Sequence, residues 1–207
     1  MCGVQMSPCD RKGLESGERI VAREPCAVYK CHTQRYQLAQ RYLSEQMDVM
    51  DYGCGIGYGS FLMSAYCKSV LSIEKDEETV QHAKRWFHRY NITYLNQDYV
   101  PKNLNINLIT AFEVIEHVES GESLVKEFYE ALKPNGILVF SVPDQTSVPF
   151  KQEEHEFHHR HYTAQELRDL ITGAGFKLEL EANQPSKRFP ELRAGFGGWT
   201  NIGVARK

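Results

Sequence analysis

Apolar positions along the chain follow two periods in turn, and the alternation between them predicts the fold. Tyr36, Ala39, Gln40 and Leu43 recur at helical spacing, which predicts a leading helix over Thr33–Leu43. Met47–Tyr52 then reads as a strand, followed by a glycine-rich turn and a short helix through Phe61, Leu62 and Ala65. Val70–Ile73 is a second strand. Val80, Ala83, Phe87 and Tyr90 fall at i, i+3, i+7 and i+10 and predict a helix from Glu77 to Tyr90. Ile92–Leu95 and Ile106–Ile109 are short apolar strands. Leu124, Phe128 and Leu132 share one stripe of a helix over Glu122–Leu132, which Pro134-Asn-Gly136 should stop. Ile137–Val142 is a buried strand. Thr163-Ala-Gln-Glu166 has the form of a capping box ahead of Leu167, Leu170, Ile171 and Ala174, and glycines at 173 and 175 end that helix. Lys177–Glu181 and Thr200–Val204 are the last strands. Strands alternating with helices call for a mostly parallel sheet covered on both faces, so the fold class is α/β, Rossmann-like and doubly wound. Residues 1–24 are polar and without period. The expected organisation is a loosely structured N-terminal arm over 1–31 and one domain over 32–207.

Size and composition agree with a single domain. The chain has 207 residues, 42% hydrophobic, 25% charged and 11% aromatic, enough to build a core. A formal net charge of −3 sets up no strong global attraction to nucleic acid or anionic lipid. No apolar run approaches the ~20 residues of a bilayer span, and the N-terminus lacks the charged-then-apolar form of a signal peptide. The expectation is a soluble cytoplasmic protein. Of six cysteines, Cys2, Cys9, Cys26 and Cys31 crowd the first 31 residues, but no pair has C-x-x-C spacing. Reduced thiols are the simpler reading, a metal knot the alternative.

In a sheet of this type the ligand lies beyond the C-terminal strand ends, where the strand order reverses. The first strand runs into Asp51-Tyr-Gly53-Cys54-Gly55-Ile-Gly57-Tyr-Gly59. Glycines there allow a tight turn and let a ligand approach bare backbone. No register satisfies G-x-G-x-x-G, which counts against a nicotinamide or flavin dehydrogenase, and no G-K-[ST] follows to make a phosphate-binding loop of the ATPase kind. Glu74 lies twenty-three residues after Asp51, at the end of the second strand and before Lys75. A carboxylate at about that offset can accept from both hydroxyls of a ribose. Asp98 and Tyr99 follow the third strand.

The glycine loop, Glu74, Asp98 and Leu132-Lys-Pro-Asn-Gly136 resemble class I S-adenosylmethionine-dependent methyltransferases over roughly residues 32–182. His32-Thr-Gln-Arg-Tyr36, Gly57-Tyr-Gly-Ser60 and Phe112-Glu-Val-Ile-Glu-His117 are similar to a broad bacterial and phage methyltransferase-domain group. The resemblance implies a seven-stranded sheet of order 3-2-1-4-5-7-6 with strand seven antiparallel. It also implies S-adenosylmethionine as cofactor, with S-adenosylhomocysteine as product. The glycine loop (Asp51, Gly53, Cys54, Gly55, Gly57) would meet its amino-acid part, Glu74 and Lys75 the ribose, and Asp98 and Tyr99 the adenine. Arg35 would reach the cofactor carboxylate, and Glu113 would also lie on the cofactor side. Asn107 and Asn135 depart from the usual aspartate and glycine of the family.

Acceptor chemistry should come from the segments after the fourth and fifth strands. Glu116 and His117 are the catalytic candidates, as acid/base or acceptor contacts. Residues 144–162 form a connection longer than usual and are expected to act as a lid. His155, His158, His159 and His161 crowd that connection. The Glu113-Val-Ile-Glu116-His117 pattern is similar to ubiquinone-pathway O-methyltransferases and to the metal-binding set of small-RNA terminal ribose methyltransferases. That likeness implies a divalent metal with His158 or His159 as a further ligand. Three functions therefore stand open: methyl transfer to an oxygen or nitrogen of a small molecule or sugar; metal-dependent 2'-O-methylation of RNA; or a non-catalytic cofactor-binding scaffold. For nucleic acid, Lys187–Arg193 supplies only a modest basic aromatic stretch. Acceptor identity and oligomeric state have no sequence signal.

Overall fold

The computed structural model describes residues 22, 23, 25, 28, 30–186 and 191–207. Helix α1 (Lys30–Gln40) leads into strand β1 (Asp48–Tyr52), helix α2 (Tyr58–Met63), β2 (Ser69–Glu74), α3 (Glu77–Trp86), β3 (Ile92–Asn96) and β4 (Ile106–Phe112). A 3-10 turn at Ile115–His117 precedes α4 (Gly121–Ala131), β5 (Leu132–Pro143), α5 (Ala164–Gly173), β6 (Lys177–Gln184), β7 (Arg193–Ala194) and β8 (Thr200–Arg206). These strands form one sheet of order β3-β2-β1-β4-β5-β8-β6-β7. The five strands from β3 to β5 pair in parallel, while β8 is antiparallel to both β5 and β6. The anticipated order holds, with β8 as the seventh strand of the expectation. Two-residue β7 is an addition, pairing with β6 through Ala182–Ala194 and Asn183–Arg193 at the sheet edge.

Two apolar layers cover the sheet. One packs α4 and α5 residues Leu124, Phe128, Leu167 and Ile171 against Met50, Ile109, Leu138 and Phe140. The other packs Leu38 and Ala39 of α1, Met63 of α2 and Phe87 against Val49, Leu108, Val139 and Val204. Alternate residues of β4 and β5 thus serve opposite faces, so the central strands read as unbroken apolar runs rather than as alternation. The capping box forms as its sequence predicts: the Glu166 N–H donates to the Thr163 hydroxyl and the Glu166 carboxylate accepts from the Thr163 N–H at 2.8 Å.

Some local expectations are corrected. Helix α3 stops at Trp86, four residues early; Phe87 is buried but Tyr90 is fully exposed, off the stripe assigned to it. The Pro134–Gly136 break does not separate α4 from a later strand. Instead β5 begins at Leu132 and bulges: Ile106 pairs with Leu132, but Leu108 already pairs with Ile137, and Asn135 takes φ 64° in between. The described end of the N-terminal arm is not loose. Ala22 and Val28 are buried, and the Ala22 carbonyl lies 2.7 Å from His82 Nε2. Cys31, Cys54 and Cys67 are buried free thiols, whereas Cys2, Cys9 and Cys26 lie outside the described residues. So do residues 187–190 of the basic aromatic stretch. Among the described residues no helix is long and apolar enough to cross a membrane.

Gly59 sets how closely α1 approaches α2. A Cβ at that position would fall 1.9 Å from Cζ of the Tyr36 ring, deep inside van der Waals contact. Gly59→Ala should therefore lose ~1–3 kcal/mol by overpacking, read as a lower urea midpoint with unchanged slope. An unshifted midpoint would mean that Tyr36 yields freely, against its burial.

Candidate functional site

The glycine loop leaves β1 at the point where β2 and β4 diverge on either side of it. Gly53, Gly55 and Gly57 all have positive φ (70°, 53° and 86°), a region that other residues occupy only at a cost. Two of the three are closed in: a Cβ on Gly53 would lie 2.4 Å from Val114 Cγ2, and one on Gly57 2.5 Å from the Tyr94 hydroxyl. Gly55 differs, because a Cβ there would meet nothing within 4 Å. Its outer face is the open side on which a ligand can approach backbone. The turn itself is pinned by the Gly53 and Cys54 N–H groups donating to the Ile73 carbonyl at 2.9 and 3.0 Å.

Glu74 closes this loop from the end of β2. One carboxylate oxygen accepts from the Gly55 N–H at 3.1 Å and the other from the Asp76 N–H at 3.0 Å. Each oxygen keeps acceptor capacity after one backbone bond, so the group is oriented and still able to bind hydroxyls. Asp76 in turn caps α3, its side chain accepting from the Thr79 N–H at 2.8 Å. Lys75, Asp98 and Tyr99 are exposed on the same strand ends, and the Tyr52 hydroxyl fixes the Asp98 carbonyl at 2.7 Å.

Three of the expected contact residues have buried side chains. Asp51 is buried at 1% exposure, and its carboxylate accepts from Ser60 at 2.6 Å, Thr110 at 2.7 Å and Tyr36 at 3.2 Å. Burial raises its pKa from 3.8 to about 6, partly offset by the Ser60, Thr110 and Tyr36 hydroxyls. The Cys54 thiol is buried against Val80, Ala83 and Tyr94, and burial pushes its pKa well up. Arg35 is also buried at 1%, with Nε donating to Gln184 at 3.0 Å and the terminal nitrogens to Ser141 and Thr200 at 3.3 and 3.4 Å. Its ion-pair partner is Glu113 at 3.2 Å. The Arg35 guanidinium is thus enclosed, as the cation that holds Glu113 from within the fold.

Among the described residues Glu113 is one of three non-glycine residues with positive φ, at 55°. Its strain is countered locally: the Ser141 hydroxyl donates to its carboxylate at 2.7 Å, and its own N–H donates to the Ser141 carbonyl at 3.0 Å. Beyond it the 3-10 turn carries Glu116, fully buried, and His117, part-exposed. Segment 144–162 folds against this turn. The His159 N–H donates to the Glu116 carbonyl at 2.7 Å, and His117 Nδ1 lies 2.8 Å from the Phe157 carbonyl. At its base, buried Asp144 accepts from Asn201 at 2.9 Å and from the N–H groups of Thr146 and Ser147. Of the two histidines considered as a further ligand, His158 turns inward and His159 outward. Glu116, His117 and His158 offer ligand atoms that all lie within 4.8 Å of one another, so these three could hold a divalent cation. His158 is pushed down to about 4 by burial and by neighbouring His117, His161 and His155.

Sequence reasoning missed Ser141, Gln184 and Thr200 as parts of this assembly. Ser141 alone carried a signal, as the polar residue inside the apolar run Ile137–Val142.

Comparison with known proteins bears on the family and the fold. The family described as a methyltransferase domain matches residues 26–181. A probable S-adenosylmethionine-dependent methyltransferase of Mycolicibacterium smegmatis is 32% identical over 170 residues, 79% of this chain and 65% of that protein. A ubiquinone biosynthesis O-methyltransferase of Coxiella burnetii is 29% identical over 111 residues, covering 49% of this chain and 47% of that one. The chain thus spans less than two thirds of the length of these relatives. Among solved structures, the N-methyltransferase NodS of Bradyrhizobium japonicum in complex with S-adenosyl-L-homocysteine superposes with a TM-score of 0.66 at 16% identity, over 85% of each chain. At that identity the likeness is one of fold.

The raised pKa of Asp51 has a signed consequence. Between the unfolded value of 3.8 and about 6 the folded state binds more protons, so this group's contribution is fully present below pH 3.8 and is lost as pH rises through about 6. Two units correspond to about 3 kcal/mol. Asp51→Asn removes the ionisation, so its stability relative to the unaltered protein should rise by ~2–3 kcal/mol between pH 3.5 and 6.5. Urea titrations of both proteins across that range read the difference, and parallel curves would refute it.

Proposed function

The chain belongs to the methyltransferase-domain family of class I S-adenosylmethionine-dependent methyltransferases, and from that premise we propose that it transfers the cofactor's methyl group to an oxygen or nitrogen of a small molecule or sugar. The observation that carries this reading is the meeting of Glu116, His117 and His158 just past β4, beside a glycine loop whose Gly55 backbone is open to a ligand. Glu74 is the ribose-binding carboxylate. Lys75 lies beside it, and Asp98 and Tyr99 lie on the adenine side. The sulfonium methyl is already activated, so the protein's share is positioning, exclusion of water and removal of the acceptor's proton. His117 and Glu116 take the acid/base role, and Glu113, held by Arg35, forms the wall between cofactor and acceptor.

A divalent metal is the second reading, favoured by the same three groups. Glu116, His117 and His158 would hold it, and it would supply a lowered pKa for an acceptor hydroxyl. The backbone carbonyls and buried pairs that orient these side chains serve either case. RNA as acceptor has less support: Arg193 is exposed, but the acidic balance of the chain offers no general attraction to phosphate.

Glu74→Ala should weaken S-adenosylmethionine by ~1.5–3 kcal/mol, through the lost charge-assisted bonds and a loosened Gly55 turn. Calorimetric titration reads it; unchanged affinity sinks the ribose assignment, and tight nicotinamide cofactor binding sinks the whole reading.

Incubating cell extract with the protein and labelled S-adenosylmethionine, followed by mass spectrometry for a methylated product, identifies the acceptor. With that acceptor, His117→Ala should cut turnover while leaving cofactor affinity nearly intact. Chelation abolishes activity only if the metal reading holds, and a fully active His117→Ala removes both roles.

A further inference from the structure

The far end of α3 holds a charge pattern that the net charge of −3 conceals. Lys84-Arg-Trp-Phe-His-Arg-Tyr90 interleaves cations with rings, and no Asp or Glu falls between Glu78 and Asp98. Lys84, Arg85 and His88 are exposed, and Arg89 is half-buried. Among the described residues Lys84, Arg85 and Arg89 have no carboxylate partner. The guanidinia lie over rings instead: Arg23 is 4.5 Å and Arg85 5.1 Å from the Trp86 centroid, and Arg89 is 4.1 Å from that of Phe61. A guanidinium stacked on a ring is held in place, yet keeps N–H donors at its edge for an anion. Tyr90 is fully exposed and Tyr66 53% exposed. The Asn91 amide joins their two turns, donating to the Ser64 and Cys67 carbonyls at 2.8 and 3.2 Å. Asp48, the carboxylate at this end of β1, is already met by Lys68 at 3.1 Å and Ser69 at 2.7 Å.

We propose that this surface docks single-stranded nucleic acid, with phosphates on Lys84, Arg85 and Arg89 and bases against the tyrosine rings. Cations unmatched by carboxylates attract a phosphate backbone, and each contact releases counterions. The exposed rings beside them supply what a duplex cannot use, since only unpaired bases stack on a side chain. A membrane fits less well. Helix α3 keeps Val80, Ala83 and Phe87 buried and Trp86 beneath guanidinia, which leaves no apolar face to insert. The surface is also distinct from the candidate methyl-transfer site. Glu74 ends β2 at the glycine loop, whereas Val70 and Ile92 pair at the other end of the parallel β2–β3 ladder, where Tyr90 emerges. Six residues of β2 separate the two ends by ~20 Å. The docking therefore stands whatever the methyl acceptor, and it needs no nucleotide in the cleft.

Fluorescence anisotropy of a labelled single-stranded RNA of mixed sequence and about ten nucleotides, titrated with the full chain, tests this. Binding at about 50 mM salt should weaken steeply toward about 200 mM, with a log–log slope near about −2 for three phosphate contacts. Lys84→Ala combined with Arg85→Ala should lower affinity roughly tenfold and flatten that slope by ~1.4. Tyr90→Ala should weaken binding ~5-fold or more at an unchanged slope, because stacking releases no counterions. All three side chains are exposed, so the unfolding midpoints of these variants should match that of the unaltered chain. An unaltered chain without salt-dependent RNA binding overturns the proposal before any variant is made. Unweakened binding in the double variant overturns it equally. A Tyr90→Ala curve that superposes on the unaltered one overturns the single-strand assignment, and so does capture by phosphatidylserine vesicles without RNA binding.

Discussion

A carboxylate sealed from water must be surrounded by donors, and the fold is arranged to meet that demand at Asp51. Its three hydroxyl partners come from three other elements: Tyr36 from α1, Ser60 from α2 and Thr110 from β4. The leading helix, the glycine turn's helix and the neighbouring strand are thereby tied to one point at the end of β1. Neutral hydroxyls compensate burial only in part, so the pKa of Asp51 rises. A lysine or arginine at the same point would have lowered it, but there is no room: Gly59 is in contact with the Tyr36 ring, which packs edge-on against Tyr58 and Phe112. The hydroxyl set is what fits between closely packed helices.

A second buried charge is handled in the opposite way, and the difference assigns each its place. Arg35 is matched by Glu113 and by three neutral acceptors from β5, β6 and β8. An unpaired guanidinium at that depth would be strongly destabilising, so the ion pair and its acceptors stand or fall together. What the pair achieves is conformational. Glu113 is held with positive φ at the end of β4, and the chain turns there sharply enough to bring Glu116 and His117 back over the strand ends. The antiparallel β8 is needed for this, because Thr200 reaches Arg35 and Asn201 reaches Asp144 from its first two residues.

How much of this is legible in the sequence depends on the range of the interaction. Period and local stops reveal the strands, the helices and the capping box at Thr163, since each rests on contacts within a few residues. The glycine loop is legible because left-handed backbone leaves a residue-type signature. Tyr90 misleads for a physical reason: helical spacing continues past Trp86, but the chain must turn there to start β3, and spacing contains no term for that. Arg35 and Asp51 mislead in another way. Their presence signals a site, yet a charge that supports a site from beneath and one that touches its ligand look alike until burial is known. Partners such as Gln184, 149 residues from Arg35, have no local signal at all.

The histidine-rich segment shows how an irregular connection can be held by hydrogen bonds at several points. Between Asp144 and Tyr162, which bridge one another, the backbone is irregular but tied at several points. Asp144 gathers the first turn, Val148 and Phe157 lend carbonyls to imidazoles, and the His159 N–H returns to Glu116. Those bonds tie it to the 3-10 turn after β4, so a shift of the segment must disturb the side chains of that turn. A lid that opened freely would lose the contacts of the Val148 and Phe157 carbonyls with His161 and His117. A displacement of the segment therefore carries the rings of His117 and His158 with it, while Phe157 and His159 face outward.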